Sequence, residues 1–188
     1  MTMLLDQQVS GVVFCGGLSA DEYRQLLGRG VPVVLLNAAV DYLGFPQVST
    51  DDTAAVQQAH AHLTSLGHRR IGLLVGPEDH TPSERKVAAF RALAPAGSRQ
   101  PVAHALFSFE GGQAAAAELL SAFMNYTDPP LTTLRQPIEA MAKAAVTLLV
   151  NQMGGNAPTP KELLHEPELV VRSSTGPAPV NHGQELDS

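Results

Sequence analysis

The stretches Val9-Ser10-Gly11-Val12-Val13-Phe14-Cys15 and Val31-Pro32-Val33-Val34-Leu35-Leu36-Asn37 decide the fold class. Each is a short apolar run rich in β-branched residues, the pattern of a strand buried on both faces. Between them, Ser19 and Glu22 have the spacing of a capping box, and Leu18 with Tyr23 can form the hydrophobic staple. Tyr23, Leu26 and Leu27 give that helix an inner face, and Gly28 and Gly30 end it. Strand, helix and strand in this order predict an α/β fold with a parallel sheet.

The alternation continues outward. Gln47 to Thr50 reads as a short extended piece. Asp51 or Asp52 caps a helix to about Leu66, striped by Val56, Ala59, Leu63 and Leu66, and Gly67 stops it. Ile71 to Val75 is a third strand, broken by Gly76-Pro77. A helix is expected over Ser83–Leu93, a strand over Ala105–Phe107 and an Ala-rich helix over Gly111–Leu120. Asp128-Pro129-Pro130 is a rigid connector, because each proline fixes φ and removes a donor. Pro137 opens a helix to about Gln152 with the stripe Ile138, Met141, Ala145, Leu148 and Leu149. Leu163 to Val171 is the last strand, and residues 176–188 form a polar tail expected to be disordered.

Composition removes several function classes. The chain has 188 residues, 44% of them hydrophobic, enough for a core built from aliphatic side chains. Net charge is −6, and no basic run is longer than a pair such as Arg69-Arg70. A duplex-binding surface needs several phosphate-neutralising cations on one face, so these residues are not expected to touch DNA directly. The single cysteine, Cys15, cannot form an internal disulfide or a cysteine zinc cluster, and it suits a reducing cytoplasm. No apolar run approaches the roughly 20 residues of a membrane span, and no signal peptide is read at the start.

No enzyme chemistry emerges. Gly16-Gly17 follows a strand, but no Gly-x-x-x-x-Gly-Lys or Gly-x-Gly-x-x-Gly accompanies it. His60, His62 and His68 lack the spacing of a metal-binding helix, and Ser10, Ser19 and Ser49 lack a nucleophile elbow. Neither a cofactor nor a metal is expected.

Three stretches, taken together, resemble the LacI/GalR family of bacterial transcription regulators. They are the two strands quoted above, the run His62-Leu63-Thr64-Ser65-Leu66-Gly67-His68-Arg69-Arg70-Ile71-Gly72-Leu73-Leu74-Val75-Gly76-Pro77, and Asp128 to Pro137 with Glu168-Leu169-Val170-Val171-Arg172-Ser173-Ser174-Thr175 after it. They occur in the family's order and cover the chain from about Leu5 to Thr175. The resemblance implies a type I periplasmic-binding-protein-like core: two α/β lobes with an effector in the cleft between them. On it, residues 1–46 with 131–155 form the first lobe, and 47–128 with 160–175 the second. The family's helix-turn-helix headpiece and first strand-helix-strand unit find no match, and the chain begins inside the helix before Val9. Another block finds no match between Leu120 and Ser121. Either it is deleted from the gene or it is missing from this sequence, and the unbroken run of residues favours deletion.

The implied ligand is a sugar or related polyol, which needs paired donors and acceptors and an apolar ring face. Candidate contacts lie just after strands. Cys15 ends the first strand and is otherwise a small buried hydrophobe. Asn37 ends the second, at a position that often carries Asp or Asn in the family, and is otherwise a turn residue. Ser83-Glu84-Arg85-Lys86 up to Phe90 resembles the family's Arg-x-x-Gly-Phe segment, with Lys86 at the arginine position, Ala89 at the glycine position and Arg85 one residue away. A lysine cannot reproduce the guanidinium fork. Phe107 matches a ring-stacking aromatic, with core packing as its plain alternative. Asp51 and Asp52 match an acidic pair that helix capping also explains.

Three functions compete on this reading. The first is the effector-binding core of a cytoplasmic regulator, working as a homodimer or with a paralogue. The second is a periplasmic-type sugar-binding protein. The third is a non-functional remnant or protein-interaction fragment, because the unmatched blocks should leave apolar faces exposed.

Overall fold

A computed structural model of the chain describes residues 9–16, 25, 30–38, 44–94, 100–120, 131–156 and 162–179. Its first sheet has four parallel strands in the order β1-β2-β3-β7: β1 Val12–Cys15, β2 Val33–Leu36, β3 Gln47–Thr50 and β7 Glu162–His165. Registers run Cys15 opposite Leu36, Leu36 opposite Val48, and Thr50 opposite His165. Both faces of this sheet are apolar around β2, as an all-parallel sheet requires. Val33 and Leu35 point one way and pack with Ala38, Phe45, Val12 and Phe14. Val34 points the other way and joins Val48, Met141, Ala145 and Leu148. Three of these belong to the long helix of residues 138–153.

The second sheet pairs β4, Leu73–Val75, with β5, Val102–His104, in parallel. Helix α1, Asp52–Ser65, packs on α2, Thr81–Ala92, and α2 packs on β4. Val56, Ala89 and Phe90 form that core with Ile71, Leu73, Leu93 and Val102. Helix α3, Phe109–Leu120, covers β5 and β4. The third sheet is an antiparallel pair of β6, Thr133–Arg135, and β8, Glu168–Val170. Helix α4, Ile138–Met153, lies on the first sheet.

Two crossings from the first sheet run side by side. Strand β3 passes into α1 at Asp51, β7 passes into β8 at Glu166-Pro167, and the Asp51 N–H donates to the His165 carbonyl at 2.8 Å. Asn37 adds a tie to the segment ahead of α4, its Nδ2 donating to Gln136 Oε1 at 3.3 Å. Thr132 holds the β6–β8 pair: it accepts from the Arg172 N–H at 2.9 Å and lies 2.8 Å from Thr175 Oγ1.

Several sequence expectations shift. The strand expected at Ala105–Phe107 lies three residues earlier, where Ala103 can be buried, and Ala105–Phe107 is the loop leaving it. The single strand expected over Leu163–Val171 is two strands in different sheets, because Pro167 cannot donate to a ladder. Strand β6 was not anticipated. Ile138, expected on the inner stripe, is 70% exposed. Gln47–Thr50 pairs with β2 and Glu162–His165 pairs with β3 in the first sheet, so the boundaries expected at 46/47 and 160 do not follow the strand pairing. Residues 176–178, expected to be disordered, are tied to the end of α1: the Ala178 N–H donates to the Leu66 carbonyl at 2.8 Å, and His68 Nε2 meets the Gly176 carbonyl at 3.0 Å. The Ser19–Glu22 capping box, the Leu18–Tyr23 staple, the Asp128-Pro129-Pro130 connector and residues 180–188 lie outside the described residues.

Candidate functional site

The parallel strands β4 and β5 end side by side, and the chain leaving them opens a concavity at their C-terminal ends, where open α/β sheets bind ligands. It is an open cleft of about 510 Å³ lined by Leu74, Val75, Gly76, Lys86 and the run Ala105-Leu106-Phe107-Ser108-Phe109. Phe107 and Phe109 are 75% and 80% exposed. Phe107 is nevertheless held. Its ring meets the His80 ring edge-to-face with centroids 5.1 Å apart, and a Cβ on Gly76 would collide with it. The absence of a side chain at Gly76 is therefore what lets the ring lie over the end of β4.

Lys86 reaches the same cleft from α2. Its Nζ is 2.5 Å from Asp52 Oδ1, and Asp52 is buried in the first turn of α1. The cleft thus presents a cation already paired with a buried carboxylate, beside an aromatic platform. Such a surface can offer a donor to a hydroxyl and an apolar face to a ring.

Of the seven residues singled out from sequence, the structure brings only Lys86 and Phe107 into this cleft, with Asp52 paired to Lys86 from α1. Asp51 caps α1, its carboxylate accepting from the Ala54 N–H at 2.9 Å. Cys15 ends β1 in the first sheet and is exposed. Asn37 takes a left-handed backbone, φ 52°, and its Oδ1 accepts from the Thr50 N–H at 3.0 Å while Nδ2 reaches Gln136. Its amide is occupied in joining β2 to β3 through Thr50 and to the segment ahead of α4 through Gln136.

Arg85 points away from the cleft and forks onto Glu162 of β7, with Nη1–Oε1 at 2.8 Å and Nη2–Oε2 at 3.0 Å. Burial opposes ionisation of Glu162, but hydrogen bonds from Arg85 and Ser49 and the charge of Arg85 together outweigh it and hold the carboxyl below its ordinary value of 4.5. A depressed folded pKa contributes stability that is complete above the unfolded value and lost as pH falls through the folded one. The stability gap between the native protein and Glu162→Gln is therefore expected to be constant from pH 8 to about 5 and to shrink below about 4.5. Thermal unfolding across that range checks it; a gap that does not change with pH contradicts the assigned ionisation.

The sequence reading passed over Gly76, Ser108 and Phe109 as cleft residues, and Asp52 and Glu162 as partners of Lys86 and Arg85. The Phe-x-Phe spacing at 107 and 109 was a usable signal for the platform. The partner carboxylates lie 34 and 77 positions away along the chain and left no local trace. Among the described residues no cluster of His, Cys, Asp and Glu could hold a metal, and no helix is long and apolar enough to cross a membrane.

Comparison with known proteins places this geometry. A family profile described as a periplasmic binding protein-like domain matches residues 118–175. The HTH-type transcriptional regulator reg1 of Streptomyces lividans is 35% identical over 237 residues, spanning 97% of this chain and 69% of that protein. That aligned stretch is 49 residues longer than the whole 188-residue chain, so part of it has no counterpart here. A LacI family regulator from Enterococcus faecium with bound ribose superposes with a TM-score of 0.76 at 21% identity, covering 94% of this chain and 84% of the other. The regulator CelR in complex with cellobiose gives a TM-score of 0.78 at 26% identity, covering 93% and 68%. The fold is thus an incomplete two-lobed, periplasmic-binding-protein-like core, and the relatives are regulators, not enzymes. The chain belongs to the LacI family of transcription regulators.

Proposed function

We propose that this chain is the effector-binding core of a regulator whose effector is a sugar or related polyol, bound in the cleft at the ends of β4 and β5. The carrying observation is Phe107 held exposed over Gly76 with the Lys86 ammonium lining the same cleft. Phe107 supplies the face on which an apolar ring surface stacks, and Lys86 donates to a hydroxyl. Ser108, also in the lining, adds a second hydroxyl partner. The sugar-bound relatives support the ligand class. Coupling to DNA follows the usual logic of such cores: a ligand that prefers one lobe arrangement shifts its population. The working location is the cytoplasm. Ile138, Val146, Val150 and Met153, all at least half exposed on α4, support an assembled state with a second copy or a related chain.

Calorimetric titration with ribose and cellobiose tests the reading. One of the two is expected to bind, and Phe107→Ala is expected to weaken that binding by about 10-fold or more, the scale of one lost stacking contact of roughly 1.5 kcal/mol. Binding that is indifferent to Phe107 moves the ligand elsewhere, and no binding of either sugar refutes the assigned class.

A further inference from the structure

We propose that the Arg85–Glu162 pair is a latch between the two parallel sheets, setting how far the β4/β5 unit and its cleft can swing from the four-stranded sheet. Glu162 begins β7 of the first sheet, and Arg85 lies on α2, packed against β4 of the second. The pair therefore spans two bodies connected through the crossings at Asp51 and His165–Glu168. It is bidentate, and both side chains are about four-fifths buried, at 24% and 21% exposure.

Its position gives it leverage. Glu162 is three residues from His165, where β7 ends and the chain crosses over, so it sits about 10 Å from the crossing at a rise of 3.3 Å per residue. A swing of roughly 10° about the crossing would move the partners apart by nearly 2 Å at that radius. A forked guanidinium–carboxylate pair, whose bonds fall within roughly 2.7–2.9 Å when well made, does not survive such a displacement. The pair consequently exists in one arrangement of the sheets and not in the swung one.

The next residue on α2 faces the other way. Lys86 lines the cleft and holds Asp52, the first residue of α1 after the crossing. Adjacent residues of one helix thus hold the β7 strand and the cleft, so a shift of α2 at the cleft is felt at the latch. Arg85 is in this sense a positioning residue. The latch needs no ligand; only its influence on binding rests on the effector-core reading.

The test is ligand-free. Spin labels on native Cys15, exposed at the end of β1, and on Gln113→Cys, exposed on α3, report the distance between the two bodies by double electron–electron resonance. The parent protein is expected to give one narrow distance. Arg85→Gln and Glu162→Gln are each expected to broaden or lengthen it by several ångströms, Arg85→Lys to do so partly, and the swap of Arg85→Glu with Glu162→Arg to bring it back toward the parent. Unchanged distances in both glutamine variants, with cooperative unfolding retained, overturn the latch, as does a swap no closer to the parent than the single variants. Should a glutamine variant fail to fold, the milder Arg85→Lys carries the same comparison.

Discussion

Leu35→Ala is expected to destabilise the protein by about 2–5 kcal/mol, the range for emptying a buried leucine site. Leu35 is fully buried in β2, the strand flanked by β1 and β3, and packs with Val33, Ala38 and Phe45. Domains of this size hold only about 5–15 kcal/mol in total, so the variant stands near the edge of folding. Urea unfolding followed by circular dichroism reads the loss directly. Leu164→Ala is the control: on edge strand β7, 53% exposed, it is expected to cost under about 1 kcal/mol. Equal losses at the two positions would mean that this face of the sheet is not the packed core described above.

Asn37→Ala is expected to cost about 2–5 kcal/mol, from two separable sources. The left-handed backbone at φ 52° penalises a Cβ-bearing residue without a local hydrogen bond by about 1–2 kcal/mol. Loss of Oδ1 leaves the Thr50 N–H without its partner, costing a further 1–3 kcal/mol or so. Asn37→Gly removes the first cost and keeps the second, so it is expected to be milder than alanine by about 1 kcal/mol. Asn37→Asp retains the acceptor toward Thr50 but loses the donor toward Gln136, and is expected to be milder than either. Alanine and glycine variants of identical stability would show that the conformation carries no strain at this site.

Much of the architecture was legible along the chain because it depends on short-range pattern. The β-branched runs at Val12–Cys15 and Val33–Leu36, the Asp51 cap and the Met141–Ala145–Leu148 stripe are all set within one or two turns of their own sequence. The family resemblance rested on equally local strings. Within the cleft, Lys86 and Phe107 were found through the resemblance, Lys86 at the arginine position of the Arg-x-x-Gly-Phe segment and Phe107 at a ring-stacking aromatic position.

What only the tertiary structure decided was which partner each polar group takes. Arg85 and Lys86 are neighbours in a charged run, and nothing in that run distinguishes them. Their roles part because α2 presents one to Glu162 of β7 and the other to Asp52 of α1. Asn37 reads equally well as a ligand contact or a turn, until Thr50 and Gln136 are seen to occupy its amide. The membership of Gln47–Thr50 and Glu162–His165 in the first sheet is likewise a matter of long-range pairing. Backbone conformation and amphipathic faces are short-range properties, so the sequence by itself determined the fold class and most of the element types, while β6 and the division of Leu163–Val171 between two sheets came from long-range pairing. Hydrogen-bond and charge partners depend on which elements the fold brings together, so they belong to the tertiary structure alone.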